Sequence, residues 1–222
     1  MGGIPLQGLG GSKVSDWINS STLIVPSRPT SGWAWVDSMT SMTNLAYNTG
    51  TWTPSIDGIN GTIINQSETF VRSTNAINAT LPMQVVQADL KAAGGWASGT
   101  ETRMGVGFVD SSYTQGNIFG TLRNNLSSLS LGIIRDRVAW MATTPYSWTI
   151  DIWFTVRLSW NSTTNQFSVG VNGASSVTDT YTQTVGTLYP TIYMYRYNHT
   201  PTFWMKNLKY WCGTDMTAAP VA

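Results

Sequence analysis

Residues Ile150 to Gly173 read IDIWFTVRLSWNSTTNQFSVGVNG, and residues Pro190 to Trp211 read PTIYMYRYNHTPTFWMKNLKYW. In the first stretch Ile152, Phe154, Val156, Leu158 and Trp160 alternate with Trp153, Thr155, Arg157 and Ser159, and period two places the two sets on opposite faces of a strand. Asn161 to Asn165 form a polar turn, after which Phe167, Val169 and Val171 resume the alternation up to the pair Asn172-Gly173. The pattern predicts a β-hairpin whose residues Phe154, Val156, Leu158, Phe167, Val169 and Val171 enter one core. A polar excursion follows, and the second stretch predicts two more aromatic strands.

Working outward, the sandwich pattern begins after Gly32 with Trp33 and Trp35 and continues from Asn44 to Ile64. Strands are predicted at Gln84–Lys91 and Met104–Asp110, paired through a Gly-rich loop, and at Ser128–Ile134 and Arg137–Thr144, a tight hairpin around Arg135 and Asp136. No helix-period segment longer than about two turns is present, so helix content should be low. Residues 1–31 carry three prolines, many glycines and only short apolar pieces, which reads as an extended arm. Residues 32–213 are expected to form one β-sandwich domain, and residues 214–222 a featureless tail.

This order of strands resembles a concanavalin A-like (laminin G/glucanase-type) β-sandwich over about residues 44–212. The resemblance is carried by NLAYNTGTWTPSIDGINGTIIN, where a Gly-rich turn precedes a short GTII strand, by the 84–110 strand pair and by the hairpin at 154–171. It implies an all-β, antiparallel two-sheet jelly roll and leaves activity open, since such sandwiches host lectins, hydrolases and structural proteins.

Composition narrows the function. Charged residues are 10% of the chain against about 25% in ordinary domains, so the surface must be coated with Ser, Thr, Asn, Gln and Gly. A net charge of +1 supplies little field for steering toward nucleic acid or anionic lipid, and neither partner is expected. Arg103, Arg123, Arg135, Arg137 and Arg157 form no run and read as isolated surface or strand-edge charges. The N-terminus shows no leader pattern, and no apolar run reaches the length of a membrane span. Cys212 is the single cysteine, so no intrachain disulfide forms. Seven Asn-x-Ser/Thr triplets arise as expected from a chain this rich in Asn, Ser and Thr.

Glucanases of the resembled fold carry a Glu-x-Asp-x-x-Glu strand. The two glutamates here, Glu68 and Glu101, stand in no such setting, and Asp89 and Asp110 lie on or just after neighbouring predicted strands without forming a sequence-local pair. The single His199 excludes a zinc site built on several histidines. Calcium would need clustered oxygen ligands; Asp110 with Asn117, or Asp179, show no loop motif. No catalytic residue, metal or cofactor is expected. Trp96 in GGWASG, with Tyr146 and Trp148 in TTPYSW, read as exposed rings able to serve as glycan platforms, because an aromatic face receives the C–H groups of a pyranose. They serve equally well as interface anchors.

These features together predict a non-enzymatic virion structural protein of the phage head-decoration, head-fibre or tail-appendage type, assembled in the host cytoplasm. The arm would attach to other copies of the chain and other virion proteins through Ile4, Leu6, Leu9, Trp17, Leu23, Ile24 and Val25, with the sandwich contacting host-surface polysaccharide. The alternative is an extracellular carbohydrate-binding module or lectin acting free of any particle, and the third reading is a divergent glycoside hydrolase.

Overall fold

The structure is a computed structural model that describes residues 32–94, 100–113, 118–125, 128–135, 139–183 and 186–221. The hairpin that decides the fold forms β11 (Phe154–Asn161) and β12 (Gln166–Val171), with Val156 opposite Val171 and Trp160 opposite Phe167. All six predicted core residues are buried in one cluster. Complete burial of each such side chain contributes about 1.5–3 kcal/mol. The strand starts at Phe154 and not at Ile152, which is 49% exposed. Asp151 sits at φ 63° and its N–H donates to the Ala92 carbonyl, so the chain turns before it can continue the ladder. Asn172 and Gly173, at φ 52° and 73°, make a two-residue reversal. Both central residues need positive φ, which Asn and Gly tolerate. The polar stretch beyond is therefore a further strand, β13 (Ala174–Thr180), and not an excursion.

The remaining strands are β1 (Trp35–Asp37), β2 (Leu45–Tyr47), β3 (Thr51–Ser55), β4 (Gly58–Thr62), β5 (Glu68–Ser73), β6 (Met83–Ala93), β7 (Glu101–Asp110), β8 (Ile118–Asn125), β9 (Ser128–Arg135), β10 (Ala139–Pro145), β14 (Leu188–Tyr197) and β15 (Thr202–Gly213). An eight-stranded sheet runs β13-β12-β11-β6-β15-β4-β3 with β1 added on β15, and a seven-stranded sheet runs β10-β9-β8-β7-β14-β5-β2. Every pairing is antiparallel. β9 and β10 pair as the predicted hairpin, but Arg135 belongs to β9 opposite Ala139 and not to the turn, and residues 136–138 lie outside the described residues; the opening strand β4 is GINGT and ends before Ile63. The expected pairing of β6 with β7 does not occur. β6 lies between β11 and β15, and β7 between β14 and β8, so the two consecutive strands belong to different sheets.

The inner faces meet in one large core that includes Val86, Leu90, Met104, Val106, Leu122, Leu158, Ile192 and Met205. Two further clusters lie outside it. Trp33, Val85 and Trp211 pack on the outer face of the eight-stranded sheet with Met216 and Ala219. Residues 214–221 thus fold back on the sheet, where a one-turn 3-10 helix (Met216–Ala218) is capped by Asp215 and Arg157 donates to the Pro220 carbonyl. Phe70, Val109, Phe119, Ile134 and Tyr193 form the other cluster on the outer face of the seven-stranded sheet. Among the described residues no helix is long and apolar enough to cross a membrane.

Candidate functional site

The outer face of the seven-stranded sheet is built in two layers. Across β5, β14, β7 and β8, one row reads Phe70, Tyr193, Gly105 and Thr121, and the next reads Glu68, Tyr195, Arg103 and Arg123. A third row carries Thr191, Gly107 and Phe119 and continues to Ile134 and Trp140. Gly105 and Gly107 alternate because neighbours occupy the space of their missing side chains. A Cβ on Gly107 would stand 2.0 Å from the Ile118 carbonyl oxygen and 2.5 Å from the Phe119 ring, and one on Gly105 would stand 2.2 Å from the Gly120 oxygen. The rings of Phe119 and Tyr193 stack at 4.8 Å, with Phe70 at 5.5 and 5.7 Å from them. All three rings are fully buried although they lie outside the sandwich.

Above this apolar floor stands a half-buried layer of cations and aromatic rings. The Arg103 guanidinium lies 4.5 Å from the Tyr195 ring centre and 5.6 Å from that of Trp140, and Arg123 lies 4.6 Å from Trp140. Arg72 lies 4.2 Å from Tyr189 and 5.3 Å from Tyr113. One carboxylate organises the centre: Glu101 Oε1 accepts from Arg103 Nε at 2.8 Å and from Arg123 Nε at 2.6 Å. Tyr193 donates its hydroxyl to Glu68 Oε1 at 2.9 Å and accepts from Arg103 at 3.3 Å. Both glutamates thus belong to one network, and Arg103 and Arg123 are not the isolated charges their scatter in sequence suggests. Burial alone would lower the Arg103 pKa, but Tyr193 and Glu101 more than reverse this and raise it.

Burial also pushes the Tyr193 hydroxyl far above the ordinary tyrosine value, with Glu68 adding and Arg103 opposing. Tyr210 is raised likewise, by burial and then by Cys212. In both cases the folded chain prefers the neutral form. Their contribution to stability is complete below the unfolded tyrosine pKa of about 10 and is lost as pH rises beyond it. Urea midpoints measured at pH 8 and pH 11 should therefore fall, and Tyr210→Phe should reduce that fall.

The residues proposed from sequence fare differently. Trp96 and the arm residues Ile4, Leu6, Leu9, Trp17, Leu23, Ile24 and Val25 lie outside the described residues, as does Asn117. Trp148 is 4% exposed, donates its indole N–H to the Arg123 carbonyl at 3.0 Å and meets Phe154 edge-on, so it is a packing residue and offers no platform. Tyr146 is half-buried against the core. Asp89 and Asp110 do not pair: Asp89 accepts from Thr155 and Asn207 on the eight-stranded sheet, and Asp110 accepts from Ser112 at the end of β7. Among the described residues no cluster of three His, Cys, Asp or Glu side chains could hold a metal. Sequence reasoning missed the two-layer face, although ETR at 101–103 and YMYRY at 193–197 both alternate with period two.

No protein-family model matches the chain, and no curated protein matches it in sequence. Solved structures do match in fold. The chain is similar to the carbohydrate-binding module CBM66 from Bacillus subtilis, with TM-score 0.54 and 13% identity over 78% of this chain and 98% of that one. A Lotus tetragonolobus seed lectin matches with TM-score 0.59 and 10% identity over 79% and 96% of the two chains. The carbohydrate recognition domain of Emp47p matches with TM-score 0.58 and 12% identity over 92% and 100%. With two antiparallel sheets packed face to face and these neighbours, the chain has the concanavalin A-like β-sandwich fold.

Proposed function

We propose that this protein is a non-enzymatic carbohydrate-binding module, with the outer face of the seven-stranded sheet as its platform. The observation that carries this is the half-buried layer in which Trp140 and Tyr195 flank Arg103 and Arg123 above a fully buried floor. A pyranose needs a flat apolar surface for its C–H groups and donors at fixed positions for its hydroxyls. Aromatic rings supply the first. The guanidiniums, oriented by Glu101, supply the second with the N–H groups that the carboxylate leaves unused. Similar folds in lectins and carbohydrate-binding modules support the same reading.

Hydrolysis is disfavoured by the state of the carboxylates. Glu101 is held in place by two guanidiniums, and Asp89 and Asp110 are engaged elsewhere, so no carboxylate pair is assembled among these three. The test is a glycan array followed by calorimetry: Trp140→Ala should weaken binding of the best ligand by about 1–3 kcal/mol with little loss of stability. An array without any ligand, or product release from a bound glycan, would refute the reading.

Display on a virus particle is a narrower proposal that rests on the low charge of the chain and the composition of residues 1–31. Deleting residues 1–31 should leave a folded sandwich that no longer enters particles or oligomers. Normal assembly of the truncated chain would leave the free module as the whole account.

A further inference from the structure

The three lysines among the described residues, Lys91, Lys206 and Lys209, all stand on the outer face of the eight-stranded sheet, each against a tryptophan. Two of them converge. Lys91 is the register partner of Trp204, and Phe154 pairs with Leu90, so Trp153, Lys91 and Trp204 form one row across three chain segments. The Lys91 ammonium lies 5.1 Å from the ring centre of Trp153 and 4.8 Å from that of Trp204, and the Lys206 ammonium lies 4.2 Å from that of Trp153. All four side chains are partly exposed.

The carboxylate that shares their ladder is already hydrogen-bonded. Asp89, opposite Lys206 in the ladder, accepts from Thr155 through one oxygen and from Asn207 through the other, each at 2.7 Å. Among the described residues the ion pairs are those of Glu101 with Arg103 and Arg123, so neither ammonium meets a carboxylate. Two like charges therefore flank one indole, an arrangement that an anion would relieve. A second copy of the chain packed symmetrically on this face would bring its own lysines against these, which the same repulsion opposes.

We propose that the Trp153–Lys91–Trp204 row with Lys206 binds an acidic glycan, the sugar carboxylate meeting the two ammoniums and the pyranose ring stacking on the indoles. This rests on the carbohydrate-binding reading and assigns a second site, on the opposite face of the sandwich from Trp140, to a charged class of sugar. A bare anion would leave the indoles unused, and a neutral sugar would leave the ammoniums unused.

The test is calorimetry of the full chain with a galacturonate hexamer, its methyl ester as a neutral counterpart of the same shape, and inorganic phosphate. The acid hexamer should bind about tenfold or more tightly than the ester. The double variant Lys91→Gln/Lys206→Gln, with unchanged circular dichroism, should lose that preference, and Lys209→Gln, on the same face but outside the row, should keep it. Equal binding of acid and ester, or a preference that survives the double variant, would overturn the proposal. Phosphate competing as well as the hexamer would show that charge alone is read and would also overturn it. If neutral glycans bind at Trp140 while the hexamer shows no preference, this inference alone fails; if no glycan binds anywhere, the carbohydrate-binding reading fails with it.

Discussion

Glu101→Ala is expected to lower the unfolding free energy by about 3–5 kcal/mol, the cost of removing one partner from a buried ion pair. The side chain of Glu101 is 12% exposed and serves both Arg103 and Arg123, so its loss leaves two guanidiniums crowded beneath Trp140 without the carboxylate that pairs with both. Arg123→Ala should cost less, because Glu101 keeps Arg103 as a partner. Urea denaturation of the two variants measures the difference. A loss below about 1 kcal/mol for Glu101→Ala would identify the network as a solvent-screened surface pair.

Phe119→Ala should cost about 3–5 kcal/mol, as large as the truncation of a residue between the sheets. Phe119 points away from the sandwich, yet it is fully buried by stacking on Tyr193 and Phe70 beneath the cation layer. Thermal unfolding of Phe119→Ala beside Leu158→Ala compares the outer floor with the main core. A small effect for Phe119 alone would mean that the floor is open to water and that no rigid platform stands on it.

How far the sequence could be read depends on which faces each strand buries. The 154–171 hairpin was legible because one face is apolar and the other carries Thr155, Arg157, Ser159 and Ser168. In β5 adjacent residues Phe70 and Val71 are both buried, one in the outer cluster and one in the core, which erases the alternation. In β13 Val177 is the one residue of the main core among the described side chains, and its neighbours are mostly Ser, Thr and Asp, so the strand reads as a polar loop. Nor does a Gly-rich loop after β6 reveal whether the chain pairs with its predecessor or crosses to the other sheet. The candidate site was hidden for a related reason. Gly105 and Gly107 mark its floor only because Thr121 and Phe119 of β8 close over them, and those partners are 16 and 12 positions away in sequence. Trp148 misled in the opposite direction: its Pro-Tyr-Ser setting suggests a surface loop, while its indole N–H is satisfied by a strand carbonyl.

The most direct test of the account is the set of tryptophan indole N–H resonances followed during titration with the best neutral glycan, Trp140 being assigned from a Trp140→Phe variant. With the glycan on the seven-stranded sheet, the Trp140 signal should move with ligand concentration while those of the buried Trp148 and Trp160 stay in place. A Trp140 signal that does not respond while Trp96 moves instead would contradict it, and would place the glycan on the loop between β6 and β7 and away from the seven-stranded sheet.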